Sequence, residues 1–166
     1  MKAKLLRAVM PLAFALTLAS CSPSDETSIK GTDKQVVNTY DYNQNELKMM
    51  DLINDYRESI GLSKLDKINY ISYKSEEHNE YMIANNVVNH DYFSERSQDL
   101  INLLGAKRVS ENIAYNYMSP EAALAAWLNS PAHKANIEGD FTDFGVSITT
   151  DEATGKVYYT NMFIKK

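Results

Sequence analysis

A second cysteine is missing from this chain. Cys21 stands alone among 166 residues, so no intramolecular disulfide forms and the fold has to rest on its apolar core. Membrane-length apolar runs are missing as well: residues 8–19 fall short of the about 20 needed to cross a bilayer core and give way at Ser20 to a strongly polar stretch. Internal repeats and low-complexity blocks are absent. Positive charge is in short supply, with 17 Lys and Arg against 22 Asp and Glu, and Lys2, Lys4 and Arg7 all precede the apolar run. Without residues 1–20 the balance is 14 against 22, a net charge of −8, which argues against nucleic acid as a partner.

What is present at the N-terminus is a charged start followed by a short apolar stretch, the layout of a cleaved export signal. Leu18-Ala19-Ser20-Cys21 resembles the lipobox of bacterial lipoproteins, and that resemblance implies cleavage before Cys21 and its acylation. The expected anchor is the membrane, reached through several acyl chains at about 0.8 kcal/mol per buried methylene. The expected location is extracytoplasmic, at the outer membrane or cell surface. Residues 21–45 are rich in Ser, Thr, Asp, Lys, Asn and Gln and read as a polar tether. Ser24-Asp25-Glu26 resembles the acidic export signals of some surface lipoproteins and reads equally well as solvated linker.

Residues 46–166 remain for one domain with a single core, expected to be monomeric. Met49, Leu52, Ile53, Tyr56 and Ile60 recur at three- and four-residue steps before Gly61, predicting an amphipathic helix over 46–60. A second helix is predicted over 67–85 with His78 on its core side, and a short one over 98–104 stopped by Gly105. Ser119-Pro120 opens another through Asn129, which Ser130-Pro131 ends. Residues 144–150 and 156–164 read as a terminal hairpin. Helices first and an antiparallel hairpin last favour α+β.

Three words carry more than periodicity does: Ser110-Glu111-Asn112-Ile113-Ala114, the run from Trp127 through His133 to Ile137, and Phe141-Thr142-Asp143-Phe144-Gly145-Val146. In this order they resemble the bacterial branch of the CAP superfamily, which includes cysteine-rich secretory proteins, venom antigens and plant pathogenesis-related proteins. His90 stands where that branch has a first cleft histidine, and Tyr159-Thr160-Asn161 resembles its closing Thr-Gln strand. The resemblance implies a three-layer α-β-α sandwich whose cleft presents His90, Glu111 and His133, with Asn129 beside them. It also marks departures. Ser130 stands at the family's second acid, Tyr158 at the second histidine of many eukaryotic members, and Ser110 at a usual glycine, which implies a changed backbone angle beside Glu111.

Two imidazoles and a carboxylate are the minimum protein set for an open Zn²⁺ site; they are equally the makings of a hydrogen-bonded polar cluster. Both readings stand at this point. The first implies a metal-dependent, peptidase-like hydrolase, for which no general base beyond Glu111 is evident. The second implies a binding or interaction module for a small apolar ligand, an envelope component or a protein. A purely structural envelope protein ranks third. Ser94, Ser110 and Ser130 lie outside any Gly-rich nucleophile elbow. Trp127 reads as core, and Asn112 and Asn136 as side chains that bond loop backbone near the cleft.

Overall fold

The computed structural model describes residues 36–166. The predicted signal, Cys21 and Ser24-Asp25-Glu26 lie outside the described residues. Among the described residues no helix is long and apolar enough to cross a membrane.

The chain order is α1 (Gln44–Ser59), β1 (Asp66–Lys67), α2 (Asn69–Asn85), α3 (Phe93–Leu104), β2 (Arg108–Tyr115), α4 (Pro120–Asn129), α5 (Pro131–Ile137), β3 (Asp143–Thr150) and β4 (Val157–Lys165). The sheet runs β1-β3-β4-β2, with β1 parallel to β3 and the other pairs antiparallel. The expected C-terminal hairpin is therefore the centre of the sheet. Side chains alternate along its strands and divide the core in two. Phe144, Val146, Ile148, Tyr159 and Phe163 pack with α1 and α4 residues such as Met49, Ile53 and Trp127, while Met162 and Ile164 pack with Ile71 of α2 and Leu100 of α3. This is a three-layer α-β-α arrangement of the α+β class.

Close approach of α2 to the sheet depends on Gly145. A Cβ there would lie 2.3 Å from the Ser72 nitrogen and 2.6 Å from the Ile71 carbonyl carbon, so only glycine lets the helix backbone lie against β3. Helix α1 begins with a capping box: the Asn43 side chain accepts from Glu46 N while Glu46 Oε2 accepts from Asn43 N at 2.9 Å. The buried Glu46 carboxylate also accepts from Ile148 N and from the Tyr40 hydroxyl.

These contacts shift the domain's beginning toward the N-terminus. Tyr42 bonds Asn69 and Ser72, and Val36 and Val37 pack against the α2–α3 side of the core, so the stretch 36–45 assigned to the tether belongs to the domain. The aromatic hydroxyls satisfy helix and strand partners that a composition reading does not see. Other boundaries also moved. Helix α3 starts at Phe93, five residues before the predicted 98; α2 starts at Asn69, after a two-residue β1; and α5 and β2 were not predicted. Pro131 does end α4, and it also opens α5, because a residue without an N–H fits a first helical turn.

Candidate functional site

His90 sits in the connection between α2 and α3, bounded by two residues in the left-handed region, Asn86 at φ 51° and Tyr92 at φ 59°. Such conformations persist in non-glycine residues only where surroundings enforce them. Here the surroundings are hydrogen bonds. His78 Nε2 meets Asn89 O at 2.8 Å, the Tyr81 hydroxyl donates to Asp91 Oδ2 at 3.0 Å, and Arg96 Nη1 donates to Asp91 O at 2.7 Å. The core-facing His78 therefore fastens the segment that carries His90. Its Nδ1 is buried without a partner, and burial, more than any neighbouring charge, pushes its pKa below the ordinary histidine value.

Glu111 lies midway along β2, on the face toward α2 and α3, with its side chain 1% exposed. Arg96 from the first half of α3 grips it: Nε to Oε2 at 3.0 Å, Nη2 to Oε1 at 2.9 Å and Nη2 to Oε2 at 2.8 Å. His90 Nδ1 adds a bond to Oε1 at 2.8 Å. A buried carboxylate needs such compensation, and a guanidinium fork gives the strongest form of it. Arg96 was not among the residues singled out from sequence. Its signal was there, since Phe93, Arg96, Leu100 and Leu104 share one helical stripe, and a cation on an apolar stripe asks for a buried anion.

His133 comes from α5, on the opposite side of β2. Its Nδ1 meets the Ser130 hydroxyl at 2.8 Å, so the serine standing at the family's second acid supports this imidazole. Burial, then the nearby His90, lowers the His133 pKa, keeping the ring neutral near pH 7. Asn112 Nδ2 holds His133 O at 3.0 Å, and Asn136 Nδ2 holds Asn112 Oδ1 at 2.8 Å and Glu111 O at 3.2 Å. Both asparagines act on backbone as their sequence context suggested. Trp127 is core and donates to Ile113 O at 2.8 Å. Two hollows flank β2, one of about 310 Å³ touching His90, Phe93 and Val109, the other of about 330 Å³ touching Val88, Tyr115, Trp127 and His133. A larger hollow, about 410 Å³ around Arg57 and Asp140, contains none of these residues.

Three expectations need correction. Asn129 is exposed at the end of α4 and lines neither flanking hollow, because its helix turns it outward while Trp127 turns in. Ser110 keeps ordinary strand geometry, paired with Phe163 and without a positive φ. The three-ligand zinc set does not form. Glu111 spends its oxygens and its charge on Arg96 and His90, and among the described residues no group of three or more His, Cys, Asp and Glu is placed to hold a metal. A guanidinium hydrogen-bonded to both carboxylate oxygens opposes a divalent cation on the same atoms. The residues do not fit a resident zinc.

The model of the cysteine-rich secretory protein family, CAP, matches residues 50–163. The chain belongs to this family. Other CAP relatives widen the comparison. The uncharacterized membrane protein YlbC of Bacillus subtilis is 34% identical over 125 residues, which cover 73% of this chain and 34% of that protein. This chain thus spans about a third of the length of the curated relative it matches. An extracellular protein containing an SCP domain from Bacillus anthracis superposes with a TM-score of 0.65 at 30% identity, covering 74% of this chain and 40% of that one. An outer surface protein from Borrelia burgdorferi gives a TM-score of 0.67 over 78% of this chain and 99% of that one. At 18% identity the last shows the CAP fold alone.

Proposed function

We propose that this CAP domain is a monomeric binding module held outside the cytoplasm by an acylated Cys21, and that its cleft takes up an apolar or polypeptide ligand without a metal and without catalysis. The observation that carries this reading is the neutralised Glu111. A carboxylate bonded three times by Arg96 and once by His90 is no longer a free base or a metal ligand, so the cleft offers two imidazole edges, a largely apolar hollow beside His90 and a mixed one beside His133. His90 Nε2 and His133 Nε2 have no partner among the described residues and remain available to a ligand's polar group. The exported setting is supported by the signal-like N-terminus and by relatives described as extracellular, outer surface and membrane proteins.

The test is metal analysis and peptidase assay of untagged protein covering residues 22–166, alongside titration with an apolar dye followed by histidine ring NMR signals. The expected result is zinc far below one equivalent, no peptide hydrolysis, and dye-dependent shifts at His90 and His133. Stoichiometric zinc that disappears in His133→Ala, together with hydrolysis lost in the same variant, would overturn the proposal and favour the hydrolase.

A further inference from the structure

Among the described residues strand β2 is an outer strand of the sheet, paired only with β4. The bond from Asn116 N to Val157 O continues the β2–β4 register and sets its phase. Even-numbered residues of β2 direct their backbone groups to β4, and the odd-numbered Val109, Glu111, Ile113 and Tyr115 direct theirs away from it. Two side-chain bonds agree with this phase, since Asn136 reaches Glu111 O and Trp127 reaches Ile113 O. The outward N–H groups of the four odd residues have no acceptor among the described residues. This edge lies between the two walls of the cleft. The 86–93 segment with His90 and Phe93 stands on one side, α5 with His133 on the other, and the flanking hollows open at residues 109–111 and 113–115.

We infer that an extended polypeptide segment of a partner protein binds in this cleft by adding to β2 as a further strand, its carbonyls accepting the N–H groups of Glu111, Ile113 and Tyr115. The inference rests on the binding-module reading and names its ligand class. Charge complementarity selects the occupant. At the middle of the edge the Glu111 and Ile113 carbonyls already accept from Asn136 and Trp127 while the N–H groups of the same residues are unpaired, so donors outnumber free acceptors there, and the Glu111 carboxylate is paired with Arg96. A row of peptide carbonyls is the matching surface. A wholly apolar ligand would leave those donors buried and unpaired, at a desolvation cost that peptide carbonyls avoid. The hollows border β2 at residues 109–111 and 113–115, which leaves room for side chains toward either end of the segment. Backbone bonds with pockets for same-face side chains are the general logic of strand addition.

The experiment uses ¹⁵N-labelled protein covering residues 22–166 and peptides enriched on it from a displayed random heptapeptide library. In the free protein the amides of Glu111, Ile113 and Tyr115 should exchange at least 100-fold faster than those of Ser110, Asn112 and Ala114. Enriched peptides, resynthesised, should alternate apolar residues and slow exchange at Glu111 and Ile113 at least tenfold. Tyr115→Pro removes an outward donor and no β4 bond, and should weaken these peptides at least tenfold. If that variant does not fold, by far-UV dichroism, the wild-type amide protection decides alone. Failure to enrich any peptide, or enriched peptides that leave both amides unprotected, overturns strand addition; dye binding at His90 and His133 would then leave the binding module standing, whereas stoichiometric zinc with hydrolysis would remove both. Concentration-dependent protection of the same amides in the free protein would assign the edge to a second copy of the chain and overturn the partner assignment.

Discussion

Arg96→Ala removes the guanidinium that makes three of the four hydrogen bonds to a carboxylate only 1% exposed. What remains is Glu111 buried with His90, whose side chain is 55% exposed and easily drawn off by water. Removing one partner of a buried ion pair costs about 3–5 kcal/mol because the other charge is left uncompensated. For a domain of this size that corresponds to a fall in Tm of about 10–20 °C. Arg96 Nη1 also fastens Asp91 O, so the same variant should loosen the His90 segment and speed amide exchange over residues 88–92. Urea unfolding, followed by fluorescence of the single tryptophan, measures the first effect and hydrogen exchange the second. The double variant Arg96→Met, Glu111→Leu should recover most of the loss, since an apolar pair needs no compensation. A loss below about 1 kcal/mol in Arg96→Ala, or a double variant no more stable than the single one, would refute the claim that Arg96 is there to neutralise Glu111.

Further predictions concern the scaffold and its response to pH. Burial lowers the His78 and His133 pKa values, so the unfolded chain binds more protons than the folded one once pH falls below about 6.5; stability is full above that value and should decline as pH drops through the folded-state values, and His78→Gln should flatten part of the decline in urea titrations. Gly145→Ala drives a Cβ into the α2 backbone at Ser72 and Ile71 and should cost about 3 kcal/mol, read by thermal unfolding. Trp127→Phe keeps most of the ring's burial but leaves Ile113 O without its donor; a loss of about 1–3 kcal/mol is expected, read by far-UV dichroism melts.

Legibility from sequence followed the physics of each segment. The α1 stripe and the β3–β4 hairpin were visible because their apolar residues repeat at the period of the element they form. Strand β2 was not. Its core-facing positions read Val109, Glu111, Ile113 and Tyr115, and a carboxylate at the second position breaks the alternation that marks a strand. The interruption is the candidate site residue itself, made tolerable by Arg96 on a helix that was predicted to start only at residue 98. In the same way α5 hid behind Pro131, read as a stop when it was also a start.

The sequence by itself determined the α+β class, because element periods are local properties of the chain, and its resemblance to the CAP family supplied the three-layer arrangement and the candidates His90, Glu111 and His133. Only the tertiary structure shows what those side chains touch. What a buried carboxylate can bind depends on whatever packs over it, and here a guanidinium from a separate helix already pairs with the would-be metal ligand. Whether a strand's edge is covered depends likewise on its neighbours in the sheet, so the open side of β2 between the two histidines could be read only from the folded molecule.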